Sequence, residues 1–139
     1  MKKAYIAGPL FDDHERVYLE KITQIVESLA STHFYLIEML DWLLVILHME
    51  KKVKVFDVDM EYLKPADLVV ALLSGRDVDS GTAAEIGYAY KASKRLIGVS
   101  AKSIKPINNF VWGIFNYGKD IVEDLDQLKS LLSKEYSAT

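Results

Sequence analysis

The sequence predicts an α/β fold: a flavodoxin-like open parallel sheet of about five strands with helices on both faces. Three observations lead there. Asp67–Leu73 (DLVVALL) is an unbroken apolar run, the pattern of a strand covered on both sides. Short β-prone runs alternate with segments of helical periodicity, the order that builds right-handed βαβ units. The opening run breaks at Gly8-Pro9, a tight turn between a strand and the helix after it.

Each element follows from local pattern. Lys3–Ala7 reads as the first strand. Asp12 or Asp13 caps an amphipathic helix whose apolar face is Val17, Ile22, Ile25, Val26 and Leu29. His33–Leu36 reads as a second strand, and Asp57–Lys64 as a short helix broken by Pro65. Asp67–Leu73 is the third strand and Gly75–Ser80 a polar loop. Gly81–Ala92 is a helix whose small residues suit close packing on the sheet. Arg95–Val99 is the fourth strand, Pro106–Asn116 an aromatic-rich connection, and Ile121–Lys134 a terminal amphipathic helix. With no linker, repeat or low-complexity tract, residues 1–139 read as one domain.

Composition removes several function classes. The net charge of -3, without a Lys/Arg-rich run, argues against nucleic acid as a partner. The absence of cysteine excludes disulfides, thiolate metal sites and cysteine nucleophiles, and fits a cytoplasmic setting. The N-terminal lysines meet Gly8, Pro9, Asp12 and Asp13 before any apolar core of a signal peptide develops. The most apolar stretch, Leu36–Met49, is short and carries Glu38, Asp41 and His48, so it does not read as a membrane span. His14, His33 and His48 have no ligand spacing, and Gly75, Gly81 and Gly87 form neither GxGxxG nor a P-loop. Neither metal nor cofactor is expected.

Ligands of such sheets sit outside the carboxyl ends of the strands. Gly8–Phe11, Ser74–Gly81 and Ser100–Lys105 converge there. The segment DVDSGTAAEIGYAY, residues 77–90, is the richest in chemistry. Asp79 and Ser80 stand where a helix begins, and Gly81 lets a ligand approach the backbone amides. Glu85 follows six residues after Asp79, among Ala83, Ala84, Ile86 and Gly87; a carboxylate in such small, apolar surroundings must open onto a cleft or be paired. The plainer reading makes Asp79 and Ser80 helix caps and Glu85 a charge suited to the positive helix end. Asp57 and Asp59 precede the third strand, and either can point back over the cleft. Two or three carboxylates without a histidine cluster suit glycosyl chemistry better than metal chemistry.

The chain resembles the nucleoside 2-deoxyribosyltransferase family along most of its length. The resemblance rests on Tyr5-Ile6-Ala7-Gly8-Pro9-Leu10-Phe11, on Asp79-Ser80-Gly81-Thr82-Ala83-Ala84-Glu85-Ile86-Gly87, and on Lys105-Pro106-Ile107-Asn108 with Trp112-Gly113. It implies Glu85 as the nucleophile at the anomeric carbon. Asp59 and Asp79 would hold base and sugar and handle the proton on the leaving base, and Tyr5 would orient Glu85. Gly8, Phe11, Ser80 and Gly81 would line the substrate site. Asn108, with Phe110 nearby, would reach a neighbouring subunit's site and meet the 5'-hydroxyl, which makes the chain a homo-oligomer. Family members often carry Met where this chain has Phe110, and Asn108 also reads as a turn residue after Pro106. The implied partners are a deoxynucleoside and a free nucleobase, in nucleotide salvage.

The implied chemistry meets a physical need. A nucleobase leaves poorly unless protonated, and the sugar develops oxocarbenium character that a carboxylate can stabilise and capture. Attack by a second base gives transfer with retention; attack by water gives a hydrolase. Phe11, Phe110 and Trp112 can stack the base and exclude water, while Trp112 also suits a subunit interface. A relative acting on deoxynucleoside 5'-monophosphates would place Ser and Arg after the first strand. Here Asp12 and Asp13 would repel a phosphate. A sensing module of the same fold would need no nucleophile.

Leu36–Met49 (LIEMLDWLLVILHM) departs from the resemblance, which implies a polar stretch like Pro-His-Arg-Asp after Phe-Tyr-Leu. Codons for Tyr35-Leu36-Ile37-Glu38-Met39-Leu40-Asp41 can be written TAC CTC ATA GAG ATG CTG GAT. Read from the third base they give Pro-His-Arg-Asp-Ala-Gly. A local frameshift restored near Lys51–Lys54 therefore competes with a genuine apolar helix.

Overall fold

The structure is a computed structural model, and it describes residues 3–9, 12–29, 33–35, 49–74, 77–102 and 106–136. In chain order these form β1 (Lys3–Ala7), α1 (Asp13–Leu29), β2 (His33–Tyr35), α2 (Met49–Leu63), β3 (Leu68–Leu72), α3 (Ser80–Lys91), β4 (Arg95–Val99), α4 (Asn109–Ile114), β5 (Ile121–Val122) and α5 (Leu125–Tyr136). Five strands make one parallel sheet in the order β2-β1-β3-β4-β5. The chain first moves outward from β1 to β2, then crosses back to β3. The β1–β3 boundary, with Ala4 beside Leu68 and Ala7 beside Ala71, is thus the topological switch point where a ligand crevice opens.

Every residue of β3 is buried, as its unbroken apolar run requires of a strand inside a two-faced sheet. Leu68, Val70 and Leu72 pack with Leu19, Ile22 and Val26 of α1 and Leu128 and Leu132 of α5. Val69, Ala71 and Leu73 alternate to the other face, against Leu63 of α2, Ile86 and Ala89 of α3, and Val111 and Phe115. Tyr5 and Ala7 join this second face, so β1 presents a phenol to the side on which α3 lies.

Four local readings are corrected. Asp12 is the residue that caps α1, accepting the Glu15 amide at 2.8 Å, but Val17 is 48% exposed and lies off the core-facing stripe. The second helix starts at Met49 and not at Asp57; Val53 and Phe56 are exposed, so its first turns show no buried periodicity. The aromatic connection contains α4. Ile121 and Val122 pair with Gly98 and Val99 as β5. The terminal helix therefore begins at Leu125, where Asp124 accepts the Gln127 amide at 3.0 Å. Residues 36–48 lie outside the described residues. Among the described residues, no helix is long and apolar enough to cross a membrane.

Candidate active site

Glu85 lies on α3, above the carboxyl end of β1. The Tyr5 hydroxyl donates to its Oε1 at 2.6 Å, joining strand and helix across eighty positions of sequence. That length marks a strong, charge-assisted bond. Tyr5 is 3% exposed, and burial together with the charge of Glu85 holds its hydroxyl well above the usual tyrosine range, so it remains a donor. Glu85 is half-buried, and that burial pushes its carboxyl up to about 7. The Tyr5 hydrogen bond pulls it down, while the charges of Asp59 and Asp79 push it up. Burial likewise pushes Asp59, in the last turns of α2, up to about 6.

Asp79 is the N-cap of α3, with non-helical backbone at φ -55 and ψ 141. Its Oδ2 accepts the Thr82 amide at 3.1 Å and the Thr82 hydroxyl at 3.4 Å. The plain cap reading of Asp79 therefore describes its local bonding, while its charge still acts on Glu85. Ser80 and Gly81 are exposed at the first turn of α3. A Cβ on Gly81 would stand 3.1 Å from Asp79 Oδ2, so the missing side chain leaves room beside the cap. Gly8 has a packing reason of its own, because a Cβ there would come within 2.5 Å of Leu19.

The structure thus gathers Tyr5, Asp59, Asp79 and Glu85 at the switch point. Asp57 is exposed. Phe11 lies outside the described residues. Asn108 caps α4, its Oδ1 accepting the Phe110 amide at 2.9 Å and the Val111 amide at 3.5 Å. Phe110 is 79% exposed and Trp112 44%; neither side chain is enclosed within one chain.

Three residues of interest carried no sequence signal of their own or only a faint one. Thr82, 2% exposed, fastens Asp79; the Asp-x-x-Thr spacing of a helix start was the available clue. Ser74, just past β3, has a buried hydroxyl without a hydrogen-bond partner among the described residues. Lys94 makes two long-range bonds to the turn after α2, invisible to any periodicity. A cavity of about 590 Å³ opens at the other end of the sheet, bordered by Tyr90, Lys94, Arg95, Tyr117 and Asp120. Its lining residues include none of Tyr5, Asp59, Asp79 and Glu85, so the chemistry is assigned to the carboxylate cluster and not to this hollow.

Fold and site together define a flavodoxin-like α/β domain with a carboxylate cluster at its switch point. The model of the family described as nucleoside 2-deoxyribosyltransferase matches residues 4–131, and the chain belongs to that family. Three solved structures share the fold. A conserved protein from Enterococcus faecalis V583 is 22% identical, over 97% of this chain and 99% of that one, with a TM-score of 0.73. A 2-deoxyribosyltransferase from Bacillus psychrosaccharolyticus is 23% identical, over 94% and 95%, with a TM-score of 0.69. A 2-desoxiribosyltransferase from Leishmania mexicana is 20% identical, over 98% and 99%, with a TM-score of 0.71. A search of curated proteins finds no match.

Proposed function

We propose that the protein transfers 2-deoxyribose between nucleobases through a covalent deoxyribosyl–Glu85 intermediate. One observation carries this reading: a half-buried Glu85 held by the Tyr5 hydroxyl at 2.6 Å, with Asp59 close enough to act on its charge. In the first step, the Glu85 carboxylate attacks the anomeric carbon and the bond to the base nitrogen breaks. The released electron pair stays on the base, which takes a proton from Asp59. In the second step, a nitrogen of the incoming base attacks the same carbon and expels Glu85. The incoming base gives up its proton to the Asp59 carboxylate, and two inversions leave net retention. Asp79 orients the substrate at the start of α3.

Burial raises both carboxyls, so the pair can hold and pass a proton near neutral pH. With carboxyls near about 6 and about 7, the Asp59–Glu85 pair holds about one proton between those pH values. The reaction needs one ionised group to attack and one protonated group to serve the leaving base, so it proceeds from the arrangement in which the shared proton sits on Asp59.

A second copy of the chain would complete the site. Asn108, Phe110 and Trp112 are exposed on α4, beside exposed Tyr88 and Tyr90 on α3, a concentration of aromatic surface suited to a homo-oligomer. Asn108 and Phe110 of one copy would border the sugar in the next.

Deoxyinosine incubated with adenine or cytosine, with products separated by chromatography, tests the reading. Base exchange is expected, and Glu85→Ala should abolish it while the chain still folds. Retained exchange in that variant defeats the assignment. Free deoxyribose without exchange would mean a hydrolase, and ligand binding untouched by Glu85→Ala would mean a sensing module. Mixing inactive Glu85→Ala and Asn108→Ala chains should regain activity if sites are shared; no recovery would place each site within one chain.

A further inference from the structure

Lys94 stands in the turn between α3 and β4, at the end of the sheet away from the carboxylates. Its ammonium donates to the Lys64 carbonyl at 2.7 Å and the Ala66 carbonyl at 2.6 Å. These carbonyls follow the end of α2, where a helix leaves acceptors unsatisfied and favours a positive charge. Its own backbone amide donates to Ala89 at 3.0 Å, so the lysine is rooted on α3, one turn beyond Glu85.

The geometry matters because of how α2 is held. Among its described side chains, those reaching the core are Met60, Tyr62 and Leu63, followed by Ala66 in the turn. Upstream, Val53 and Phe56 are exposed. Asp59 immediately precedes this anchored turn. Whatever fixes the end of α2 therefore fixes Asp59.

We infer that Lys94 is a positioning residue, whose ammonium locks the last turn of α2 to the end of α3 and so sets Asp59 against Glu85. This deepens the transferase reading and rests on it for its catalytic consequence, but the geometric claim has its own readout. The groups acting on Glu85 are Tyr5 from β1, Asp59 from α2 and Asp79 from the N-cap of α3. If Lys94 sets one of these distances, its loss weakens the Asp59–Glu85 coupling and leaves the Tyr5 and Asp79 contributions in place. A lysine that merely supports the fold would lower stability and leave that coupling alone.

The experiment follows the Glu85 carboxyl titration by carbon-13 NMR in the full chain, with and without Asp59→Asn, on wild-type, Lys94→Met and Lys94→Gln backgrounds. In the wild type, Asp59→Asn should lower the Glu85 midpoint by removing a repelling charge. On both Lys94 backgrounds that displacement should shrink. In base exchange, kcat should fall about 10- to 100-fold with KM within about two-fold, the pattern of misplaced catalytic groups. Lys94→Gln keeps a donor for the carbonyls and decides the matter if Lys94→Met does not fold. A folded Lys94 variant in which Asp59→Asn moves Glu85 as far as in the wild type overturns the inference. Absence of base exchange in the wild type would instead remove the proposed activity, and the titration would still decide the role of Lys94.

Discussion

Replacing Tyr5 by Phe removes one hydroxyl and keeps the ring that packs between β1 and α3. The lost bond is the 2.6 Å donation to Glu85, the one interaction that lowers its carboxyl against burial and two neighbouring charges. Hydrogen bonds to charged groups contribute about 1.5–3 kcal/mol, and each pKa unit corresponds to about 1.36 kcal/mol, so Glu85 should rise by roughly one to two units. From about 7, that moves it to roughly 8–9. At pH 7 the ionised fraction then falls from about a half to between roughly 10% and 1%, and exchange slows about 5- to 50-fold. The assay is the pH dependence of kcat/KM for base exchange. The acid limb should move upward in Tyr5→Phe. An acid limb that stays in place, or moves down, refutes the idea that this phenol keeps Glu85 ionised.

Glu85→Gln should abolish exchange yet stabilise the fold at alkaline pH. The folded carboxyl lies above its ordinary value, so its contribution to stability is fully present below about 4.5 and lost as pH rises through about 7. Urea unfolding at pH 8 should therefore favour the variant by about 1–3 kcal/mol, with the gain disappearing at pH 4; equal stability at both pH values would contradict this. Gly118→Ala should be destabilised by about 2–4 kcal/mol in thermal melts, because Gly118 has φ +77 and a Cβ would come within 2.2 Å of Trp112 Nε1. Resequencing the gene should recover a Pro-His-Arg-Asp reading in another frame across codons 35–41; codons that do not allow it end the frameshift idea.

The sequence made the sheet legible where burial writes itself directly into composition. DLVVALL has the pattern of a strand covered on both sides and is one, and Lys3–Ala7 and Arg95–Val99 have the bounds their patterns predict. Elements whose apolar residues face outward were misplaced: Val53 and Phe56 on α2 are exposed, so no stripe announced that helix. The two residues of β5 hid inside an amphipathic pattern because Ile121 and Val122 also fit the helix after them. In the site, Glu85 stood out because small apolar neighbours leave a carboxylate in need of a partner. Its bond with Tyr5 came from family resemblance, since nothing local relates positions 5 and 85. The Lys94 clamp was illegible for the same reason, its acceptors lying 30 and 28 residues upstream.

The position of β2 at the outer edge of the sheet bears on how this gene can change. The central pairs β1–β3 and β3–β4 carry the switch point and the floor of the site. Residues 36–48 connect the edge strand β2 to α2. Closing a crossover depends only logarithmically on its length, so the pairing of β1 with β3 tolerates changes in how many residues that connection contains.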